Sequence, residues 1–296
     1  MKSTDAFDIV LIGHFAKDRI VYQGKTETSS GGAVYYAGMA LARLGWSAAI
    51  VTRLHKDDFP RLDEMKQAGV TVFAKAAPAT SGIENTYTTA DMDRRICKPL
   101  AFAGPFRAAD MPDVTAHTWI VGPIIAGEVN MAVLKALKKI KGRAVLALDI
   151  QGFVRVPVGD DLVYRDWPQQ AEGLALVDVL KVDHAEAEHL TGQTDIAAAL
   201  PRLAALGPKE ILLTSAAGVY VYSGNRVHHA PFTARVIRGR TGRGDTCFSS
   251  YLAKRQTADP AEACRFAAAV TSLKMEKPGP FSGTLADVQE RLAAMY

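Results

Sequence analysis

The chain has 296 residues, of which 48% are hydrophobic and 22% are charged, and its formal net charge is +4. These values suit a globular protein with a large core, built as one large or two small α/β domains. The charge is modest, and no basic run or aromatic-basic interleaving occurs, which argues against nucleic acid as a partner. No apolar run approaches membrane length and no signal-peptide pattern opens the chain, so we expect a cytoplasmic protein without a membrane partner. Three cysteines without CxxC spacing fit reduced thiols.

The first part of the chain alternates strand and helix patterns. Residues 7–12 predict a strand, and Gly31-Gly32 opens a helix whose apolar positions recur at helical spacing. A strand at 47–52, a helix at 57–68 and a strand at 70–74 follow. This order is typical of a parallel sheet covered by helices on both faces.

An antiparallel hairpin interrupts this order. Residues 84–90 and 94–102 alternate like two strands, with a turn predicted at 91–93. The segment 19–29 is polar and turn-rich, which is consistent with a second short hairpin. An inserted hairpin adds either a sheet edge or a flap. The Arg94-Arg95 pair either faces solvent or reaches an anionic ligand.

The alternation then resumes and places polar residues at strand ends. Strands are predicted at 118–121, 143–150, 177–182 and 210–214, and a helix at 128–140. Ligands of open parallel sheets bind beyond the carboxyl ends of the strands, so Gln151 and Arg155 lie where a substrate contact is expected. An ordinary strand-end turn is an equal alternative. Asp183 either caps the next helix in a capping box with Glu186, or Glu186 points at a metal near phosphates.

The stretch 239–247 (Gly-Arg-Thr-Gly-Arg-Gly-Asp-Thr-Cys) carries the strongest motif. The pattern around it predicts a hairpin at 219–223 and 226–230 with a strand-like run to 237, and helices at 245–255, 261–275 and 285–294. Gly242 and Gly244 leave main-chain N–H groups uncovered at a helix start, where the dipole is positive, and Arg243 adds a charge. Asp245 places a carboxylate beside this predicted phosphate site. The alternative is an ordinary capped turn, and the P-loop and dinucleotide patterns do not match.

In combination these motifs resemble those of the ribokinase-like (PfkB) carbohydrate kinases along nearly the whole chain. The Gly31-Gly32 helix start, the Lys181-x-Asp183-x-x-Glu186 segment and residues 241–245 occur in the family's order. Residues 149–155 and 32–36 are most similar to the branch that contains myo-inositol 3-kinase.

This resemblance implies a three-layer α/β/α sandwich with a mostly parallel central sheet. It implies a single domain over 1–296, with a small β lid inserted from about 13–29 and 83–103 that excludes water. Lids in this family often pair between subunits, which implies a possible homodimer.

The resemblance also implies an ATP-dependent kinase that uses Mg²⁺ and phosphorylates a hydroxyl of a small polyol or sugar, with myo-inositol first. Asp245 would accept the proton of the attacking hydroxyl, and the N–H groups of Gly242, Arg243 and Gly244 would form an anion hole. The residues implied to hold substrate hydroxyls, together with Arg155 from the strand-end argument, are Asp18, Gly31, Gly32 and Gln151. Those implied for the nucleotide are Lys181, Thr214, Gly218, Thr241, Gly242 and Gly244, with Ala268, Ala269 and Ser272 near the adenine. Glu186, with Asp183, would orient Mg²⁺ through water.

Three positions depart from the family's pattern. Gly239 stands where the family has an aspartate, which bears on any monovalent-cation site. Arg243 replaces the usual alanine, and Asp183 replaces the usual asparagine of the metal segment.

Two rival functions fit the same sequence. A nucleoside kinase needs an aromatic slot for the base, which Tyr35, Tyr36 and Phe153 could form. A non-catalytic sugar or nucleotide sensor keeps the fold, although binding alone does not require Asp245.

Overall fold

A computed structural model describes residues 5–88 and 95–296 of the chain, apart from the side chain of Arg95. The strands are β1 Ala6–Ile12, β2 Ala16–Tyr22, β3 Lys25–Gly31, β4 Ala48–Leu54, β5 Thr71–Ala76, β6 Gly82–Tyr87, β7 Arg95–Ala101, β8 Thr115–Val121, β9 Val145–Asp149, β10 Arg155–Val158, β11 Asp161–Tyr164, β12 Val179–Asp183, β13 Glu210–Thr214, β14 Gly218–Ser223 and β15 Arg226–Pro231. The helices are α1 Ala33–Arg43, α2 Asp63–Gln67, α3 Met131–Ile140, α4 Gln151–Val154, α5 Gln170–Leu174, α6 His184–Thr191, α7 Ile196–Ala204, α8 Arg243–Arg255, α9 Pro260–Met275 and α10 Leu285–Met295, with 3₁₀ turns at Lys56–Leu62 and Ala108–Asp110.

Nine strands form the main sheet, in the order β15-β14-β13-β12-β9-β8-β1-β4-β5. The pairings from β13 to β5 are all parallel, whereas the β13–β14 and β14–β15 pairings are antiparallel. A parallel sheet needs crossover connections, and here helices supply them on both faces. The expected mostly parallel sheet is therefore confirmed.

Strand β1 lies inside this sheet and contributes side chains to two separate hydrophobic clusters. Ile9 and Leu11 pack on one face in a cluster with α1 and α8 residues such as Leu41 and Tyr251. Val10 and Ile12 point to the other face and pack in a cluster with α3 and α7. Successive side chains of a strand point to opposite faces, so a strand buried on both sides must be apolar throughout. The three-layer α/β/α architecture follows from this pattern.

The second sheet has four strands in the order β3-β2-β6-β7, and we call it the small sheet. Its strands lie at 16–22, 25–31, 82–87 and 95–101, close to the predicted lid segments at 13–29 and 83–103. An isolated bridge between Ala16 and Ser81 lies at its base. The predicted turn at 91–93 and Arg94 lie outside the described residues.

Three local predictions were wrong in detail. The predicted helix at 57–68 is a 3₁₀ helix over Lys56–Leu62 followed by the short α2, because Pro60 cannot donate an α-helical hydrogen bond. The strand-like run to residue 237 ends at Pro231, which likewise lacks the N–H that a ladder needs. Residues after β9 form the short helix α4 and then the β10–β11 hairpin, instead of a simple turn. In the described part of the chain, no helix combines the length and apolarity needed to cross a bilayer.

Glu210 at the start of β13 anchors α8 to the main sheet. One carboxylate oxygen accepts a hydrogen bond from the buried Tyr251 hydroxyl at 2.5 Å. The other accepts from Arg255 Nη2 at 2.9 Å and from Ser223 Oγ at 3.2 Å. This carboxylate therefore sets where α8 lies, and with it the position of the helix start.

We expect Glu210→Ala to lower the free energy of unfolding by about 2–4 kcal/mol, because it leaves the buried Tyr251 hydroxyl without its acceptor. Urea denaturation measures the change. Glu262→Ala is the matched control, since Glu262 on α9 forms a partly exposed ion pair with Lys254 of α8. Such a pair contributes about 0–1 kcal/mol, so equal losses in the two variants would contradict the anchoring role.

Candidate functional site

A polar cavity of about 190 Å³ lies where the small sheet meets the carboxyl ends of the parallel strands. The residues predicted for the site that line it are Asp18, Gly32, Gln151, Arg155, Lys181, Asp183, Thr214, Thr241, Gly242, Arg243, Gly244 and Asp245. The structure adds Ala33, Tyr36, Ile83, Asn85, Tyr87, Ile124 and Arg240. The volume lies below the roughly 300–1,000 Å³ of sites for drug-sized ligands, so the cavity suits small molecules.

The start of α8 forms one wall of this cavity, and we call residues 239–244 the anion loop. Gly242 is the N-cap of α8, with a left-handed backbone (φ 79°) and no side-chain cap. A Cβ atom at Gly242 would lie 2.1 Å from the Tyr36 ring, and one at Gly244 would lie 3.2 Å from Lys181 Nζ. Both glycines therefore allow close approach, and the uncapped helix start can receive an anion from the cavity.

Lys181 brings a buried ammonium to the same wall. Its Nζ lies 3.0 Å from Asp149 Oδ2 and 3.7 Å from Glu186 Oε2. Burial lowers the pKa of Lys181, but attraction to Asp149, Glu186, Asp183 and Asp245 outweighs this effect and raises it. The lysine is consequently charged at neutral pH, as an anion-binding group must be.

Arg155, Asp183 and Glu186 form a second charged cluster. Arg155 Nη2 lies 3.2 Å from Glu186 Oε1 and 3.5 Å from Asp183 Oδ2. The predicted capping box is confirmed, with Glu186 N donating to Asp183 Oδ1 and Asp183 N donating to Glu186 Oε2. Burial and the neighbouring Asp183 raise the pKa of Glu186, while the two cations lower it.

These contacts bear on the magnesium role that the resemblance implies. The Glu186 carboxylate is fully buried, and protein groups already contact both of its oxygens, so it does not fit a metal contact. Asp183 does line the cavity and remains a candidate to reach magnesium through water. Within residues 5–88 and 95–296, no cluster of three or more His, Cys, Asp or Glu side chains could hold a metal by itself.

The opposite side of the cavity carries the groups predicted to hold hydroxyls. Asp18 Oδ1 accepts a hydrogen bond from Ile83 N at 2.9 Å, which fixes the carboxylate between β2 and β6. Gly31 does not line the cavity, but a Cβ there would lie 2.1 Å from Asp18 Oδ2, so it makes room for Asp18. Gln151 is almost fully buried at the start of α4.

The small sheet contacts the anion loop directly. The Tyr87 hydroxyl on β6 lies 2.6 Å from Thr241 Oγ1. Tyr87 shares one face of β6 with Ile83 and Asn85, which also line the cavity. The two sheets therefore enclose the site from both sides.

Sequence reasoning missed several members of this site. The spacing of Ile83, Asn85 and Tyr87 by two was visible in the predicted hairpin and was a usable signal. Asp149 ends the apolar strand β9 and is 2% exposed, where burial raises its pKa. A carboxylate that ends a buried strand is a recognisable candidate. Arg240 gave no separate signal because it lies inside the motif.

Four residues predicted near the nucleotide do not reach the cavity. Ala268, Ala269 and Ser272 on α9 are fully buried. Ser272 Oγ accepts a hydrogen bond from Thr233 N at 2.8 Å and lies 3.4 Å from the Tyr296 hydroxyl. Tyr296 in turn donates to Pro231 O at 2.6 Å, so Tyr296 and the end of β15 lie against α9 at Ser272. The fourth residue, Gly218, starts β14 and packs against β15. A Cβ atom at this position would lie 2.3 Å from Ala230 O.

We expect Gly242→Ala to lower the free energy of unfolding by about 3 kcal/mol or more, because it adds a clash with Tyr36 to left-handed backbone strain. It should also weaken binding of inorganic phosphate, measured by calorimetry. Gly279→Ala is a matched control: Gly279 has the same φ of 79°, but a Cβ there meets nothing within 4 Å. Strain alone costs about 1–2 kcal/mol. Equal effects at both positions would rule out the close packing as the cause.

The chain was compared with known proteins. The family described as pfkB family carbohydrate kinase matches residues 2–286. A structure described as a pyrophosphate-dependent kinase in the ribokinase family, complexed with a pyrophosphate analog and myo-inositol, is 35% identical. It aligns over 97% of this chain and 100% of its own, with a TM-score of 0.87. A sulfate complex of a pyrophosphate-dependent kinase in the ribokinase family is also 35% identical over 95% and 99% of the two chains, with a TM-score of 0.88.

More distant structures share the fold alone. Ribokinase from Arabidopsis thaliana, complexed with ribose and ATP, is 19% identical over 97% of this chain and 99% of its own, with a TM-score of 0.76. The search of curated proteins found no match. The family match, the ribokinase-like architecture and the anion site at the start of α8 agree, and the chain therefore belongs to the pfkB family of carbohydrate kinases, as a phosphotransferase with a hydroxyl acceptor.

Proposed function

We propose that the protein transfers a phosphoryl group from pyrophosphate to a hydroxyl of a small polyol, with myo-inositol as the first candidate. The observation that carries this proposal is the contrast between two walls of the donor site. The anion loop concentrates positive charge, while the wall that would face an adenine is filled by the protein itself.

The charge of the anion loop favours a small, highly charged donor. Lys181 and Arg155 are balanced by the buried Asp149 and Glu186. Arg240 and Arg243 of the anion loop line the cavity as well, on the same side as the Asp245 carboxylate. The Arg243 guanidinium lies 5.7 Å from the centre of the Phe232 ring, which supports its flat face. An arginine can bind phosphate oxygens in a bidentate manner, which an alanine at this position cannot do.

The buried α9 wall disfavours ATP, the donor expected from the sequence. Adenine binding needs an exposed apolar or polar edge, and Ala268 and Ser272 offer none, because both are fully buried. Ser272 is in addition covered by Thr233 and by the Tyr296 hydroxyl. Pyrophosphate lacks the base and needs no such wall. The two 35% identical structures are of pyrophosphate-dependent kinases, which supports the same donor here.

The acceptor side favours a polyol over a nucleoside. A polyol hydroxyl both donates and accepts, which suits the Asp18 carboxylate and the Gln151 and Asn85 amides at the cavity. Of the three aromatic residues predicted to form a slot for a base, Tyr36 lines the cavity, but Tyr35 and Phe153 do not. The Tyr35 hydroxyl donates to Glu64 at 2.9 Å, and the Phe153 ring packs on Trp167 with centroids 4.3 Å apart.

The chemistry follows from this arrangement. The acceptor oxygen attacks the phosphorus, its proton passes to an Asp245 carboxylate oxygen, and the bond to the bridging oxygen of pyrophosphate breaks to release inorganic phosphate. The N–H groups of Gly242 and Gly244 stabilise charge on the transferred group, and Lys181 stabilises the departing phosphate. The N–H of Arg243, which the sequence placed in the same anion hole, instead donates to Arg240 O at 3.0 Å. Magnesium bound by the phosphates would neutralise further charge, with Asp183 reaching it through water.

The small sheet acts as the lid in this proposal. Its Tyr87–Thr241 contact lies directly over the anion loop and excludes water that would otherwise hydrolyse the donor. The homodimer expected from the family's lids remains a prediction, for which the exposed Ile96, Leu100 and Phe102 offer an apolar surface.

A donor and acceptor panel tests the function. We expect acceptor-dependent phosphate release and a phosphorylated polyol with pyrophosphate and myo-inositol, measured by ³¹P NMR, and weaker transfer with ATP, ribose or cytidine. Transfer from ATP alone would refute the donor, and transfer only to cytidine would favour the nucleoside kinase. No transfer from either donor to any acceptor would favour the sensor.

Substitution of the base tests the mechanism. Asp245→Asn should lower kcat by about 10²–10⁴-fold, because the amide cannot accept the proton. Asp259→Asn is the control, since Asp259 caps α9 and asparagine caps equally well. Full activity of Asp245→Asn would exclude Asp245 as the base.

We expect Arg243→Ala to raise the KM for pyrophosphate or lower kcat, by about tenfold or more in kcat/KM, because a charged hydrogen bond to phosphate is lost. Steady-state kinetics with varied pyrophosphate measures the change. Arg265→Ala removes an exposed arginine from α9 and should behave as wild type. Unchanged constants in Arg243→Ala would place this side chain outside the donor site.

A further inference from the structure

Lys274, in the last turn of α9, is a buried lysine outside the cavity lining. It is 1% exposed, and its Nζ donates to Gly239 O at 2.8 Å and to Thr241 O. Both acceptors are main-chain carbonyls of the anion loop. Among the described residues the ammonium therefore has only neutral hydrogen-bond partners.

Such an ammonium is costly to bury, since carbonyl dipoles replace water only in part. Burial lowers the pKa of Lys274 to about 7, the Asp245 charge acts in the opposite direction, and the Arg243 charge lowers it further. The Nζ also lies 5.3 Å from the centre of the Tyr36 ring, whose face attracts a cation. A methionine would fill this space without the cost, so the choice of a lysine at this buried position calls for an explanation.

The geometry of the peptide bonds that Lys274 contacts offers an explanation for the buried lysine. In a trans peptide the C=O and the following N–H point in opposite directions. Lys274 binds the carbonyls of Gly239 and Thr241, so the N–H groups of Arg240 and Gly242 point away from it. Arg240 and Gly242 line the cavity. A hydrogen bond from a cation to a carbonyl also polarises the same peptide and strengthens its N–H as a donor.

The rest of the α9 terminus holds the ammonium in this position. Arg238 N and Gly239 N donate to Met275 O at 2.9 and 3.2 Å. A Cβ at Gly239 would lie 2.6 Å from Lys277 O, so only glycine allows this approach. The loop thus lacks the family's aspartate at position 239 and has a lysine ammonium on the carbonyl of the same residue.

We infer that Lys274 is a positioning residue whose ammonium serves as a built-in monovalent cation behind the anion loop, aiming the Arg240 and Gly242 N–H groups at the donor phosphate. The inference rests on the proposed donor site and is independent of the acceptor. It follows that the protein binds its donor equally well with or without added potassium or ammonium ions.

Calorimetric titration with pyrophosphate, in a buffer whose cation is tetramethylammonium, tests this inference without turnover. Wild type should bind equally with and without added K⁺ or NH₄⁺. Lys274→Met should bind about tenfold or more weakly, from loss of a charged hydrogen bond. Lys274→Ala should regain affinity when NH₄⁺ or K⁺ is added, because a small cation fits the space of the lost ammonium, whereas Lys274→Met should not. Lys277→Met, which removes an exposed lysine three residues away, should match wild type.

Three results would overturn the inference: wild-type binding that requires K⁺, undiminished binding in Lys274→Ala, or a folded Lys274→Ala whose loss no cation restores. Even if the variants do not fold, a requirement of wild-type binding for K⁺ would overturn the inference. ATP is titrated in parallel. Binding of ATP alone would refute the proposed donor while leaving the Lys274 comparison valid with ATP as the probe.

Discussion

The site depends on an uncapped helix start placed among buried charges. The first turn of α8 faces the cavity because Glu210 anchors the helix below it and the C-terminus of α9 holds the anion loop beside it. Buried ammonium and guanidinium groups are stable there because they are paired: Lys181 with Asp149, and Arg155 with Glu186. These pairs fix the site before any ligand arrives, so little reorganisation is needed when phosphate charge develops.

The same arrangement explains the glycines of the anion loop. Gly242 accommodates the Tyr36 ring, Gly244 accommodates Lys181, and Gly239 accommodates the turn after α9. Each allows a neighbour closer than a Cβ would permit, so the loop contacts three other parts of the protein at once. The glycines that the sequence analysis predicted to uncover main-chain N–H groups are therefore also points of dense packing.

Family membership does not specify the donor. The ribokinase-like fold is shared with an ATP-bound ribokinase at 19% identity and with pyrophosphate-dependent kinases at 35%. In this chain the features that support the proposed pyrophosphate donor are local: an arginine at 243 and Tyr296 against α9. Function therefore has to be argued from the site and not from the architecture.

The sequence alone predicted the parallel sheet, the inserted hairpin, the Asp183 capping box and the residues of the anion loop, because each follows from local spacing or local hydrogen bonding. It did not show that Ala268 and Ser272, which the resemblance placed near the adenine, are buried, because the contacts of Ser272 with Thr233 and Tyr296 join segments 24 to 39 residues apart. It did not reveal Asn85, Tyr87 or Lys274 as members or supports of the site, although their spacing and type were visible. Only tertiary packing brings Tyr87 to Thr241, and a buried ammonium to the carbonyls of Gly239 and Thr241, because these partners are 33 to 154 residues apart.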